Sequence, residues 1–183
     1  MAKLPVREDG WEQALLVRVR EMLADTAARH SLRLEWSEDA PVELSCTLPQ
    51  QPGLDFELWF AFSHDELTLG TTGDAWFADI FPLDDPEAWQ RTCDAVDGLI
   101  TGESRVLLYR AIGRKNGYWS ALQLRQGNRW RNISTGIGCA FPPVIRQTIL
   151  RNGHAKATGH ARPAWGSLLL LILLAGLAAR YLL

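Results

Sequence analysis

The 183-residue sequence predicts an α+β fold. It comprises one antiparallel sheet, or two abutting ones, of about seven strands with two principal helices, in the order α-β-β-β-β-α-β-β-β. A short third helix and an apolar C-terminal helix follow. Three observations predict this. Two stretches place apolar residues at helical spacing, the runs around them alternate with a period of two, and residues 165–183 are apolar on every side. Residues 1–151 are long enough for one domain with a sizeable core.

The first helix is read from Trp11, Leu15, Val19, Met22 and Leu23, which recur at helical spacing as far as about Arg29. Asp9 and Glu12 approximate a capping box in front of it. From Leu32 the period falls to two. Leu32, Leu34 and Trp36 alternate, then Val42, Leu44, Cys46 and Leu48, then Leu54, Phe56, Leu58, Phe60 and Phe62. A turn at Ser63–Glu66 leads into Leu67–Leu69, giving four strands of an antiparallel meander. Gly70–Leu83 shows no clear period and contains the run WFADIF. It is expected to fold back irregularly over the sheet edge, with a partner-binding lip as the alternative. Asp85 is placed to cap a second helix with Pro86 in its first position, a stripe of Trp89, Cys93, Val96 and Ile100, and Gly102 as its stop.

The next strand is Val106–Ile112, and Asn116-Gly117 is a two-residue hairpin signal before Tyr118–Arg125. That turn would pair Ala111 with Leu122 and Tyr109 with Leu124. Leu107, Tyr109, Ala111, Leu122 and Leu124 would then form the core face. A second tight turn at Gly127-Asn128 would set Trp130 opposite Arg125 and Asn132 beside Gln123. Pro143 can open a short helix containing Val144, Ile145, Thr148, Ile149 and Leu150. Residues 152–163 are polar and small, a linker to an anchor over 164–183.

Charge divides the chain sharply. All 21 Asp and Glu lie at or before Glu103, against seven Lys and Arg, so that part carries a formal −14. From Ser104 onward there are twelve Lys and Arg and no acid, hence +12. The halves can attract each other within one fold, or either can meet an oppositely charged partner. Sixteen Arg against three Lys accord with a GC-rich bacterial genome. Cys46, Cys93 and Cys139 are odd in number and widely spaced, which argues against a disulfide framework or zinc site and fits a reducing compartment.

The outward face of the basic hairpin is the one candidate site. Arg110, Arg114, Trp119, Gln123, Arg125 and Trp130 would interleave there, and guanidinium groups both stack on indoles and bind oxyanions. The plainer alternative is cross-strand packing that shields a solvated sheet. No H-x-x-x-H, C-x-x-C or G-x-S-x-G occurs, the four His are isolated, and the G-x-G after Ser134 lacks a dinucleotide or phosphate-loop context. Asp94 and Asp97 share a helix flank without a third ligand at matching spacing, and read as a solvated face. The sequence thus offers no catalytic residue, cofactor site or metal site. With no RNP-like or GXXG pattern, nucleic acid is not an expected partner either.

The tail WGSLLLLILLAGLAARYLL has nine Leu, one Ile and one charge, Arg180. Nineteen helical residues reach roughly 28 Å, close to the hydrocarbon thickness of a bilayer. Trp165, Leu168, Leu171, Ile172, Leu174 and Leu177 would face lipid and Arg180 would snorkel to the headgroups. The alternative is a short buried helix in a partner or a homo-oligomer. Residues 1–20 hold acids and no apolar run, so no signal peptide is expected. Arg146, Arg151, Lys156 and Arg162 precede the tail, which predicts a single-pass protein of the inner membrane with its domain cytoplasmic and its basic approach near anionic lipid headgroups.

The expected function is a tail-anchored, non-catalytic protein-binding or adaptor module, its tether raising the local concentration of a recruited partner. Two alternatives come from other classes. One is a chaperone- or immunity-type inhibitor that masks a basic partner with Asp84, Asp85 and Glu87. The other is a small enzyme that acts on an anionic substrate through the Arg/Trp face. The order of elements is loosely similar to secretion-chaperone-like α+β folds, a likeness of order that implies no family.

Overall fold

A computed structural model describes residues 10–72, 76–111, 119–137, 144–154 and 157–160. Among the described residues the chain is α+β with two five-stranded antiparallel sheets and two helices. Helix α1, Trp11–Arg29, buries Leu15, Val19 and Leu23, one residue per turn on a single side. Its N-cap is Gly10 in the left-handed region at φ 87°, with no side-chain cap; Asp9, expected to form a capping box with Glu12, lies outside the described residues. Glycine takes that conformation without a Cβ clash.

The first sheet is the expected meander with one strand more, in the order β1-β2-β3-β4-β5. Its strands are β1 Glu35–Trp36, β2 Leu44–Leu48, β3 Leu58–Ser63, β4 Glu66–Thr71 and β5 Trp76–Ile80. The last corrects the reading of Gly70–Leu83 as irregular. Trp76, Ala78 and Ile80 are buried while Phe77 is exposed, a period of two that is masked because both faces carry an aromatic. Gly70 lies between Trp59 and Phe77 in one row across the sheet. A Cβ there would come within 2.6 Å of the Trp59 ring and 2.3 Å of the Trp76 carbonyl oxygen.

Helix α2, Pro86–Thr101, keeps its expected boundaries. The Asp85 carboxylate accepts the Ala88 amide at 2.8 Å, Pro86 occupies the first turn, and Gly102 ends the helix at φ 80°. Its buried side is centred on Ala88, Thr92, Ala95, Val96 and Leu99, leaving Trp89 and Cys93 half-buried. The stripe is therefore rotated from the one the large residues suggested. Small side chains let a helix sit close to a sheet, and the bulky indole fits at the margin. A Cβ on Gly98 would lie 2.3 Å from Ser104 Oγ, so this glycine sets how closely α2 meets the second sheet.

The second sheet is ordered β10-β9-β6-β7-β8, with β6 Ser104–Ala111, β7 Trp119–Gln126, β8 Arg129–Ile137, β9 Val144–Leu150 and β10 Ala157–His160. Val144–Leu150 is thus a strand, not the short helix expected after Pro143. It is rich in β-branched residues, and Thr148 and Leu150 are buried two residues apart, on one face. Residues 157–160, read as linker, pair with Ile149–Arg146. Asn152, also read as linker, is buried. Its amide donates to the Gly53 carbonyl at 2.7 Å and to the Ile100 carbonyl, and its Oδ1 accepts the Asp55 amide at 2.7 Å.

Leu15, Val19 and Leu23 of α1, the inner faces of both sheets and the small side of α2 make one continuous core. Phe60, Phe62, Leu99, Val106, Leu108 and Leu122 sit at its centre. At the end of α1, Asp97 of α2 bonds His30 Nε2 at 2.9 Å and meets Arg29 at 3.2 Å. The expected C-terminal helix, with Trp165, Leu168, Leu171, Ile172, Leu174, Leu177 and Arg180, lies outside the described residues. Among the described residues no helix is long and apolar enough to cross a membrane.

Candidate functional site

The second sheet decides which basic side chains share a face. Val106 pairs with Leu122, Leu107 with Ala121 and Tyr109 with Trp119. This register is five residues away from the one an Asn116-Gly117 two-residue turn would set. Because the offset is odd, the faces exchange. Burial explains the choice: Val106, Leu108 and Leu122 are each at most 1% exposed and pack with Leu150 into the core. The expected register would have turned Val106 and Leu108 away from it. The turn itself lies outside the described residues.

The expected Arg/Trp face is therefore only partly assembled. Arg110 lies on the core side of β6, directly opposite Arg146 on β9, and is half-buried. Arg114 is outside the described residues. Trp119 pairs through its backbone with Tyr109 and Ile137, and its side chain is likewise outside the description. Gln123, Arg125 and Trp130 do share the outer face. The tight turn at Gly127-Asn128 sets Arg125 opposite Trp130 and Gln123 opposite Asn132, as its sequence predicts.

Two residues that sequence reasoning missed complete this face. Arg105 pairs with Gln123, and its guanidinium carbon lies 4.1 Å from the centre of the Trp130 ring. Arg151, just beyond β9, stands 5.2 Å from the same centre. Arg105 Nε donates to Gln123 Oε1 at 2.8 Å, and Gln123 Nε2 donates to Asn132 Oδ1 at 2.7 Å, so a polar chain crosses three strands. Arg151 Nε donates to the Gly102 carbonyl, past the end of α2. Burial first, then the charge of Arg151, holds Arg105 below its ordinary value. Burial pushes the Tyr109 phenol up, against the pull of Arg105. Once the true register is known, period-two parity from Gln123 identifies Arg105, but no local signal in the sequence sets that register.

Arg125 is engaged differently. It meets the Glu103 carboxylate at 3.5 Å, with both side chains partly exposed, and its Nε donates to the Gly127 carbonyl at 3.1 Å. The acids near α2 also have internal roles. Asp85 caps the helix, Arg91 approaches Glu87 at 3.5 Å, and Asp94 accepts from Gln90 at 2.9 Å. Among the described residues no group of three or more His, Cys, Asp or Glu is arranged to hold a metal ion.

A second surface feature lies on β5. Phe77 is 56% exposed and Phe81, just past the strand, 65%. Asp79 lies between them in sequence, and Asp65 and Glu66 lie close by. Burial and then the charges of Asp79 and Asp65 raise the Glu66 carboxyl. No protein-family model matches the chain, and no curated protein or solved structure matches it significantly.

Proposed function

We propose that this protein is a membrane-tethered, non-catalytic protein-binding module, with its α+β domain in the cytoplasm and residues 164–183 as a single-pass anchor in the inner membrane. The observation that carries the binding role is the exposed aromatic pair of Phe77 on β5 and Phe81 just past it. Exposed phenylalanines cost solubility, and such residues serve as anchors where a partner excludes water around them. The carboxylates of Asp65, Glu66 and Asp79 beside them suit a partner segment that presents aliphatic side chains flanked by Lys or Arg. Confinement at a membrane raises the encounter frequency without new contacts.

Affinity purification of the full chain from detergent-solubilised membranes tests the proposal, comparing wild type with Phe77→Thr/Phe81→Thr. Threonine retains strand preference, so β5 is expected to persist. The expected result is loss of the co-purified protein with an unchanged thermal midpoint. Hot-spot residues of this kind contribute about 2 kcal/mol each, roughly thirtyfold in affinity. Recovery of the same partners by the double variant would refute the binding surface. Recovery of the intact chain as a soluble monomer after high-speed sedimentation would refute the tether.

A further inference from the structure

Arg105 and Arg151 converge on one indole, and among the described residues no carboxylate neutralises them. Among the described residues Arg29, Arg33, Arg91 and Arg125 each have a carboxylate within 4 Å. Arg105 and Arg151 have none, although Glu103 lies two residues from Arg105 and is directed instead to Arg125. Each guanidinium is oriented through its Nε, Arg105 by Gln123 Oε1 at 2.8 Å and Arg151 by the Gly102 carbonyl. Their terminal nitrogens make no hydrogen bond to another described residue. Trp130 supplies a flat wall at 4.1 Å from one guanidinium and 5.2 Å from the other.

We infer that Arg105 and Arg151, braced against Trp130, form a binding site for a phosphate group. Two adjacent guanidinium groups repel each other, and an anion between them turns that repulsion into attraction. A carboxylate brings one charge and neutralises one of them. A phosphomonoester brings −1.5 to −2 at neutral pH and three acceptor oxygens, enough for both forks. Because the Nε bonds already hold each fork in place, little side-chain freedom is lost when the ligand arrives. The site is on the second sheet and does not depend on the Phe77/Phe81 surface. The same chemistry is presented by free phosphate and by the headgroup of a phosphatidate lipid.

The test uses the full chain in neutral-detergent micelles, titrated with inorganic phosphate at constant ionic strength, with acetate as the control anion and the thermal midpoint as readout. A parallel arm compares vesicles of phosphatidylcholine with and without phosphatidate. Binding to the native state alone raises the midpoint by linkage. Stabilisation by inorganic phosphate supports the site with a soluble ligand. Stabilisation by phosphatidate vesicles alone supports it with a lipid headgroup. In either case Arg105→Gln and Arg151→Gln should each weaken the response at least about tenfold, the loss typical of one charge-assisted contact. Should either glutamine variant fail to fold, Arg105→Lys and Arg151→Lys take their place, since they keep the charge and lose the fork. The inference is overturned by no response in either arm, by equal stabilisation with acetate, or by a response that survives in the variants.

Discussion

Replacing Asn152 by Ala should destabilise the domain more than its place at the end of the last long strand suggests. The side chain is 7% exposed and joins three parts of the molecule. It donates to the Gly53 carbonyl in the first sheet's loop and to the Ile100 carbonyl at the end of α2, and accepts the Asp55 amide. The Gly53 carbonyl and Asp55 amide belong to exposed residues and can turn to water, so each lost bond costs about 1 kcal/mol. Ile100 is 4% exposed, so its carbonyl loses a partner where water does not readily replace it, at a cost of about 1–3 kcal/mol. The sum is about 3–5 kcal/mol, which for a domain of this size lowers the thermal midpoint by roughly 6–20 °C. Urea unfolding followed by tryptophan emission measures it, and Asp55→Ala, which removes only the exposed bond to the Gly153 amide, provides a control near 1 kcal/mol. A loss below about 1 kcal/mol for Asn152→Ala would refute the idea that this amide staples the two sheets to α2.

Three further outcomes follow from the same geometry. Gly98→Ala places a methyl 2.3 Å from Ser104 Oγ and 2.9 Å from its backbone nitrogen, and should cost about 1–3 kcal/mol despite alanine's better helix propensity; a stabilised variant in urea melts would contradict the close approach. Burial pushes the Cys46 thiol up to about 12, so at pH 8 about one part in ten thousand is thiolate. In a Cys93→Ser/Cys139→Ser background it should react with a thiol reagent only as fast as the domain opens, and rapid native-state labelling would count against its burial. Glu66 binds its proton more tightly folded than unfolded, because burial and the charges of Asp79 and Asp65 raise its native value. It therefore subtracts stability as pH rises from the unfolded glutamate value through the raised one. Glu66→Gln should flatten that decline in the urea midpoint, and a curve parallel to wild type would show that the carboxyl is not perturbed.

What the sequence determined by itself was whatever depends on neighbours a few residues away. Asp85, Pro86 and Gly102 delimit α2 because capping and left-handed termination are local. The turn at Gly127-Asn128 set Gln123 opposite Asn132 and Arg125 opposite Trp130 for the same reason. Tertiary structure alone decided the rest. Val144–Leu150 is a strand because β6 offers it an open edge, and Trp76–Ile80 is one because β4 does. The basic face holds Arg105 and Arg151 in place of Arg110 because Val106, Leu108 and Leu122 must all reach the core shared with α2. A one-residue slip inverts a strand, so the burial of three aliphatic side chains, contributing about 2 kcal/mol each, outweighs any preference of a local turn.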